Sequence, residues 1–457
     1  NNEIIGYNIG STGSNYALVF STGSQDNNNS YLDNRLLEGS YGFYLYGSGS
    51  ASLESGTVIQ GNSLEGQYYM GIYLVYHNAP WMIGNEISTD SPYSGFYGIY
   101  GEYLQNNFKI THNYLHDLPW NNGIYLGSCS GTSLLRGLTA NNFLSLGNGT
   151  GNDGQGIYLA SCNFQDVFHN NVNWNSTDDN NTYAFFTSSS SNLAVKNNVF
   201  ACANKGRAFY KTSGSSVTSN FNDLFTATGA NLGYWDGTNA ADLAAWQALS
   251  SQDANSFSVD PGYTSASDLH VSEVDLNNTG TPLAAVTDDF DGEARDAATP
   301  DIGADEFSPI VLDDAGIVEI YSPRHSTPFP AGVNPVEVIL KNSGANALTT
   351  VTIGWRANGL PQAPFNWTGN LASGARDTIV MGTHNFTAGF GHDLTAWTTL
   401  PNGMADNNDN NDTSEVEELW AGLIGTYTLG GAFPDFTNFT AAANALNNGG
   451  VLGAVRF

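Results

Sequence analysis

The chain has 457 residues, and 43 acidic against 13 basic side chains give a formal net charge of −30. Such a surface lacks the basic stripe that displaces counterions from nucleic-acid phosphates, and an anionic membrane face repels it. Hydrophobic residues are 40% of the chain and charged residues only 12%, so a core can form while solubility rests on Asn, Ser, Thr and Gly, and the 52 glycines favour turn-rich β structure.

From the first residues onward the chain repeats. An apolar residue, two others, Asn, one other and usually an apolar residue recur with Asn at 34, 62, 85, 113, 141, 170, 198 and 220, and a degenerate copy opens the chain near Asn2. Between these lies a second element, Gly42-Phe43-Tyr44-Leu45, Gly71-Ile72-Tyr73-Leu74, Gly98-Ile99-Tyr100-Gly101, Gly123-Ile124-Tyr125-Leu126 and Gly156-Ile157-Tyr158-Leu159. Periods of 22 to 29 residues, alternating apolar positions and Gly/Ser/Asn turns predict two or three short strands per turn of a right-handed parallel β-helix. One turn cannot bury its apolar face, whereas stacked turns share a core. The repeated Asn is expected to stack in one file at a corner, take a left-handed backbone there and form an amide ladder. Cys129 and Cys162 each follow a repeat Gly by six residues, so the spacing predicts thiols on adjacent coils, paired rather than bridged.

A short helix, Ala240 to Trp246, follows the coils. After it come Asp260-Pro261, Asp268-Leu269-His270, Asp288-Asp289-Phe290-Asp291-Gly292 and Asp301-Ile302-Gly303-Ala304-Asp305-Glu306-Phe307, expected to cap the last coil. From about Ser308, alternating segments at Val318–Ile320, Val336–Leu340, Val351–Trp355, Asp377–Val380 and Asp393–Trp397 predict an antiparallel, immunoglobulin-like sandwich. The ending predicts a helix at Phe439 to Leu446 and a strand at Val451 to Phe457. The organisation expected is therefore a β-helix with closure over 1–307, a sandwich over 308–422 and the N-terminal cap of a further β-helix over 423–457, with Phe436, Phe439, Ala443 and Leu446 covering its open end.

The coils over Asn1 to Leu224 resemble the parallel β-helix repeats of secreted bacterial polysaccharide-active enzymes and surface proteins. The Asp301 to Phe307 string resembles the C-terminal closure of such proteins. Lys341-Asn342-Ser343-Gly344 and the loop Pro401 to Thr413 resemble the small sandwich domains of bacterial cell-surface proteins. A chain that starts inside one β-helix and ends in the cap of another reads as a window on a tandem array. It resembles the giant repetitive surface proteins of gliding, type IX-secreting bacteria, many of which are adhesins. The resemblance implies an extracellular, cell-surface spacer and adhesin without catalytic activity, whose partners are neighbouring modules of the same polypeptide and a glycan or surface ligand. The alternative is a β-helix polysaccharide lyase or glycoside hydrolase.

The residues offer a few sites. Acidic residues in the coils look scattered, which argues against the paired carboxylates of a hydrolase. Asp406, Asp409 and Asp412, among asparagines, form an oxygen-rich loop that suits calcium, and Asp288, Asp289 and Asp291 form a second candidate. His112 and His116 flank a repeat Asn and read as turn residues. Aromatics crowd the middle coils, and Tyr69, Tyr76, Trp81, Tyr97 and Trp120 are the candidate glycan-stacking residues. No cofactor other than calcium is expected. No apolar run approaches the roughly 18–20 residues of a bilayer span, so membrane insertion is not expected.

Overall fold

The computed structural model describes the chain except residues 1, 24, 119–121, 148–152, 178–180, 228–230, 309–310, 407 and 409–410. It divides into two compact units, Asn1–Pro309 and Ile310–Phe457. The first is an all-β solenoid with three long walls of parallel strands. In chain order each coil contributes a strand to an aromatic wall (Ala17–Thr22, Tyr41–Tyr46, Met70–Val75 and onward). It then contributes one to a second wall (Ser30–Leu32, Val58–Gln60, Trp81–Ile83) and one to a third (Arg35–Leu37, Ser63–Glu65, Glu86–Ser88). Leu36, Phe43, Ile59, Leu64 and Ile72 begin the inward files that make one continuous core.

The corner between the second and third walls holds the predicted ladder. Asn62 Nδ2 donates to Asn85 Oδ1 at 3.0 Å, Asn85 to Asn113 at 3.0 Å and Asn113 to Asn142 at 2.9 Å. The file continues through Asn170 and Asn198 to Asn222, and at its other end Asn2 joins Asn34 at 3.0 Å. Two expected members are corrected, because Asn142 and Asn222 occupy the file in place of Asn141 and Asn220. The left-handed backbone also belongs to the preceding residue: Asp33, His112, Asn141, His169 and Asn197 all have φ between 50° and 57°. Each ladder amide instead turns inward, where it serves the next coil and main-chain carbonyls such as Met82 O.

The recurring Gly of the aromatic wall has a steric cause. A Cβ on Gly71 would lie 2.6 Å from Gly98 O, and one on Gly123 2.6 Å from Gly156 O. Cys129 and Cys162 occupy equivalent places on adjacent coils, flanked by the pairings Gly127–Ala160 and Ser130–Asn163, and both are free, buried thiols.

The end of the coil stack is closed by α1 (Leu243–Ser250), capped by the Asp242 side chain. Its Trp246 is buried against Phe209 and Trp235 and donates to Asp253, which accepts from the last ladder residue, Asn222. The segment from Asp260 to Phe307 is therefore not the end cap expected for it. It runs as a strap along the third wall, held by Tyr114 Oη to Ser267 O, Asn171 Nδ2 to Leu269 O and Asn141 Nδ2 to Asp288 O. The reason lies in the wall itself, whose outer side chains there include Phe143, Val199 and Ala201 and need an apolar cover, supplied by Leu269, Val271, Leu276 and Ile302.

In the second unit, a three-stranded and a five-stranded antiparallel sheet share a core of Val336, Val338, Leu340, Ile353, Trp355 and Leu419. All five predicted strand segments lie within these sheets. Beyond them, strand Leu423–Thr426 pairs in parallel with Val451–Arg456, and α2 (Phe439–Gly449) connects them. The helix buries Ala442 and Ala445. Phe439 is 74% exposed, so of the four residues expected to cover an open end only Phe436 and Leu446 join the apolar cluster there. That cluster also takes in Trp420 from the five-stranded sheet and Ala388 from the turn before Gly391, so residues 423–457 pack with the antiparallel sheets in one compact unit.

Candidate functional site

The outer face of the aromatic wall carries a file of nine rings: Phe20, Tyr44, Tyr73, Tyr100, Tyr125, Tyr158, Phe186, Tyr210 and Tyr234. Tyr44, Tyr73, Tyr100 and Tyr125 stack at centroid separations of 4.7–5.1 Å. Sugar stacking needs a free ring face, and each interior member of this run already has a neighbour on both faces. The file is a packing device rather than a binding platform. Burial, then neighbouring phenols and Glu102, hold the Tyr73 and Tyr100 hydroxyls above the usual phenol range.

The predicted ligand-stacking residues do not form one patch. Tyr69 packs edge-on against Tyr41 and Tyr93, and Tyr97 against Tyr100 and Tyr125. Tyr76 stacks on Tyr103 at 4.8 Å. Trp81 belongs to the second wall, 40% exposed, with Lys109 Nζ 5.0 Å above its ring. Trp120 lies outside the described residues.

A different surface has the form of a site. Beside the third wall, a 510 Å³ cavity is lined by Arg35, Glu38, Glu65, Asp90 and Asp117. Asp90 and Asp117 also line a 450 Å³ cavity with Ser145 and Asn175. Asn175 and Ala266 are shared in turn with a 390 Å³ cavity against the strap. These form one groove running across successive coils, walled on one side by strap residues 260–267. Four of the carboxylates that looked scattered in the sequence, Glu38, Glu65, Asp90 and Asp117, are gathered in it, while others such as Glu54, Glu102 and Asp166 lie on strands of other sheets. Arg35 bridges Glu3 at 2.8 Å and Glu65 at 3.2 Å across three coils, an exposed arrangement that orients more than it stabilises. On the same wall His116 contacts Asp117 at 2.8 Å and Glu86 at 3.1 Å. His112 instead sits at the corner beside Asn141, so the two histidines share no site.

Three donors that could hold a metal ion converge elsewhere on the strap, His270, Asp291 and Asp305, with ligand atoms within 4.8 Å of one another. His270 is already committed, with Nε2 2.8 Å from Asp291 and Nδ1 bonded to Asp268. Burial would lower its pKa, but the hydrogen bonds to Asp268 and Asp291 outweigh that and raise it to about 9, so imidazolium supplies the positive charge. Asp305 is pushed up to about 6 by burial and then by Asp289 and Asp291. Asp289 accepts three main-chain N–H groups, from Asp291, Glu293 and Glu306, so the Asp288, Asp289 and Asp291 set serves the strap's own fold. In the second unit, Asp406 accepts from Ala315 N and Asn408 N, and Asp412 from Thr398 Oγ1 at 2.8 Å. Asp409 lies outside the described residues.

Residues 1–142 match the model of the NosD family, described as periplasmic copper-binding protein. No curated protein matches the chain. Among solved structures, the CARDB domain of a Pyrococcus furiosus protein in complex with di-metal ions is similar at 19% identity. The match covers 24% of this chain and 96% of that one, with a TM-score of 0.21. No described helix is long and apolar enough to cross a membrane.

Proposed function

We propose that the chain is a non-catalytic module of an extracellular, cell-surface protein. Its right-handed β-helix and immunoglobulin-like sandwich act as a rigid spacer, and the groove beside the third wall holds a glycan chain. The observation that carries this reading is the continuity of three cavities across successive coils, a shape suited to an extended polymer. The carboxylates along it and the net charge of −30 disfavour acidic polysaccharides. The periplasmic description of the family matched over residues 1–142 supports a place outside the cytoplasm. Neighbouring modules of the same polypeptide as partners, and an adhesin role of the type IX-secreted kind, belong to the same proposal. Calcium at Asp406 and Asp412 belongs to the proposal. Copper does not: among the described residues of 1–142 no three His, Cys, Asp or Glu donors converge, and Met70 and Met82 are buried on different walls.

A hydrolase is the second reading, because carboxylates on neighbouring coils facing one groove are what glycoside hydrolysis requires. Incubating the full chain with neutral and acidic polysaccharides, with and without calcium, separates the two. Retardation by a neutral polymer with no new reducing ends is expected. Reducing ends above background would establish the hydrolase, and an unsaturated product a lyase.

A further inference from the structure

The strap end of the groove has the chemistry of a sugar-ring subsite. Strand Asn171–Trp174 and the residue after it present three asparagines in alternation, and only one lacks a partner. Asn171 is used twice, by Leu269 O and Ala304 N, and Asn175 Oδ1 accepts from Asn204. Asn173 lines the 390 Å³ cavity, is only 6% exposed, and its side chain makes no hydrogen bond to any described residue, with Oδ1 buried and unpartnered. Buried amides are almost always satisfied, so an idle one at a cavity wall points to a partner that comes and goes. Tyr263 also lines the cavity, its hydroxyl buried beneath the surface without a hydrogen bond. Ala201, the in-register neighbour of Asn173, and Ala203 keep the floor low, and the Phe225 ring adds an apolar wall.

We propose, resting on the glycan reading above, that this cavity takes one uncharged pyranose unit of the bound chain. Its volume falls in the usual range of small-ligand sites, about 300–1,000 Å³. An amide, which donates at one end and accepts at the other, matches a sugar hydroxyl that does both. Aromatic and alanine surface matches the C–H face of the ring. No cation lines the cavity and Asp260 does, which selects against uronate, sulfate or phosphate groups. Asn175 and Ala266 continue into the next cavity, so the polymer leaves toward Ser145 and Asp117.

The test is calorimetric titration of the full chain with cellohexaose and mannohexaose, with hexagalacturonate as the acidic control. Asn173→Ala is expected to weaken binding of the neutral hexasaccharide at least tenfold without lowering the melting temperature, since it removes an amide that no protein group uses. Tyr263→Ala, which removes the ring from the cavity wall, is expected to weaken it several-fold. Unchanged affinity in both variants, with wild type binding, would overturn the subsite while leaving the groove reading intact. Hexagalacturonate binding as tightly as the neutral chains would overturn the uncharged assignment. Absence of wild-type binding to either neutral hexasaccharide would overturn both subsite and groove.

Discussion

Two files of like residues run along the coil stack, one inside a corner and one outside a wall, and they obey different rules. The inner file is Asn at all nine positions from Asn2 to Asn222, because each interior amide spends its oxygen and nitrogen on fixed partners. The outer file accepts Phe at positions 20 and 186, because stacking needs a ring and not a hydroxyl. Hydrogen-bond geometry inside demands one residue type, whereas packing outside demands only a shape. The candidate site lies along neither file. It occupies the third wall, where the residues change from coil to coil.

The sharpest way to break this contrast is Asn113→Ala. It leaves the N and Nδ2 donors of Asn85 without their shared acceptor and removes the Nδ2 donor from Met82 O and Thr111 O, while Asn142 Oδ1 keeps only the main-chain N–H of residue 113, and chemical denaturation should show a loss of about 4 kcal/mol. Asp223, one residue past the ladder's end, gives the next largest effect. Its carboxyl is pushed up to about 8 by burial, with the Val259 N–H lowering it only in part. The folded chain thus holds a proton that the unfolded chain releases near pH 4, so the contribution of Asp223 to stability falls as pH rises from about 4 to about 8 and is level outside that window. Asp223→Asn should remove this share of the slope, raising stability above wild type at pH 8 and leaving it unchanged at pH 4. In the outer file, Tyr100→Ala should cost about 2 kcal/mol by losing two stacks, while Tyr100→Phe should cost less than about 0.5 kcal/mol. Equal costs for these two would contradict the shape-only rule. The smallest effect concerns Cys129 and Cys162. Reducing agent should leave the melting temperature unchanged, and both thiols should react with a thiol reagent only after unfolding.

Most of the coil architecture was legible because the repeat is local. The Asn ladder slipped where two asparagines adjoin, at Asn141-Asn142, since the apolar spacing from Leu138 favours Asn141, whereas the strap claims Asn141 through Asp288 and Arg295 and the file takes Asn142. The Gly-Ile-Tyr-Leu element was visible, but that its tyrosines point outward and cover one another depends on register between coils. The acidic groove was hidden for a plainer reason. Glu38, Glu65, Asp90 and Asp117 fall four, three, five and four residues after their ladder asparagines, so no fixed period marks them. The strap was recognised as motif strings and misplaced, because its contacts join residues such as Asn171 and Ala304 that are far apart in the chain. Asn173 carried no signal at all, since only the structure distinguishes it from its satisfied neighbours.

Hydrogen exchange of the full chain, with and without a neutral hexasaccharide, tests most directly where the ligand lies. The glycan groove predicts added protection in residues 88–90, 145–147, 173–175 and 260–267, with the aromatic wall at Tyr73, Tyr100 and Tyr125 unchanged. Protection confined to the aromatic wall would contradict it and return the binding role to the stacked rings.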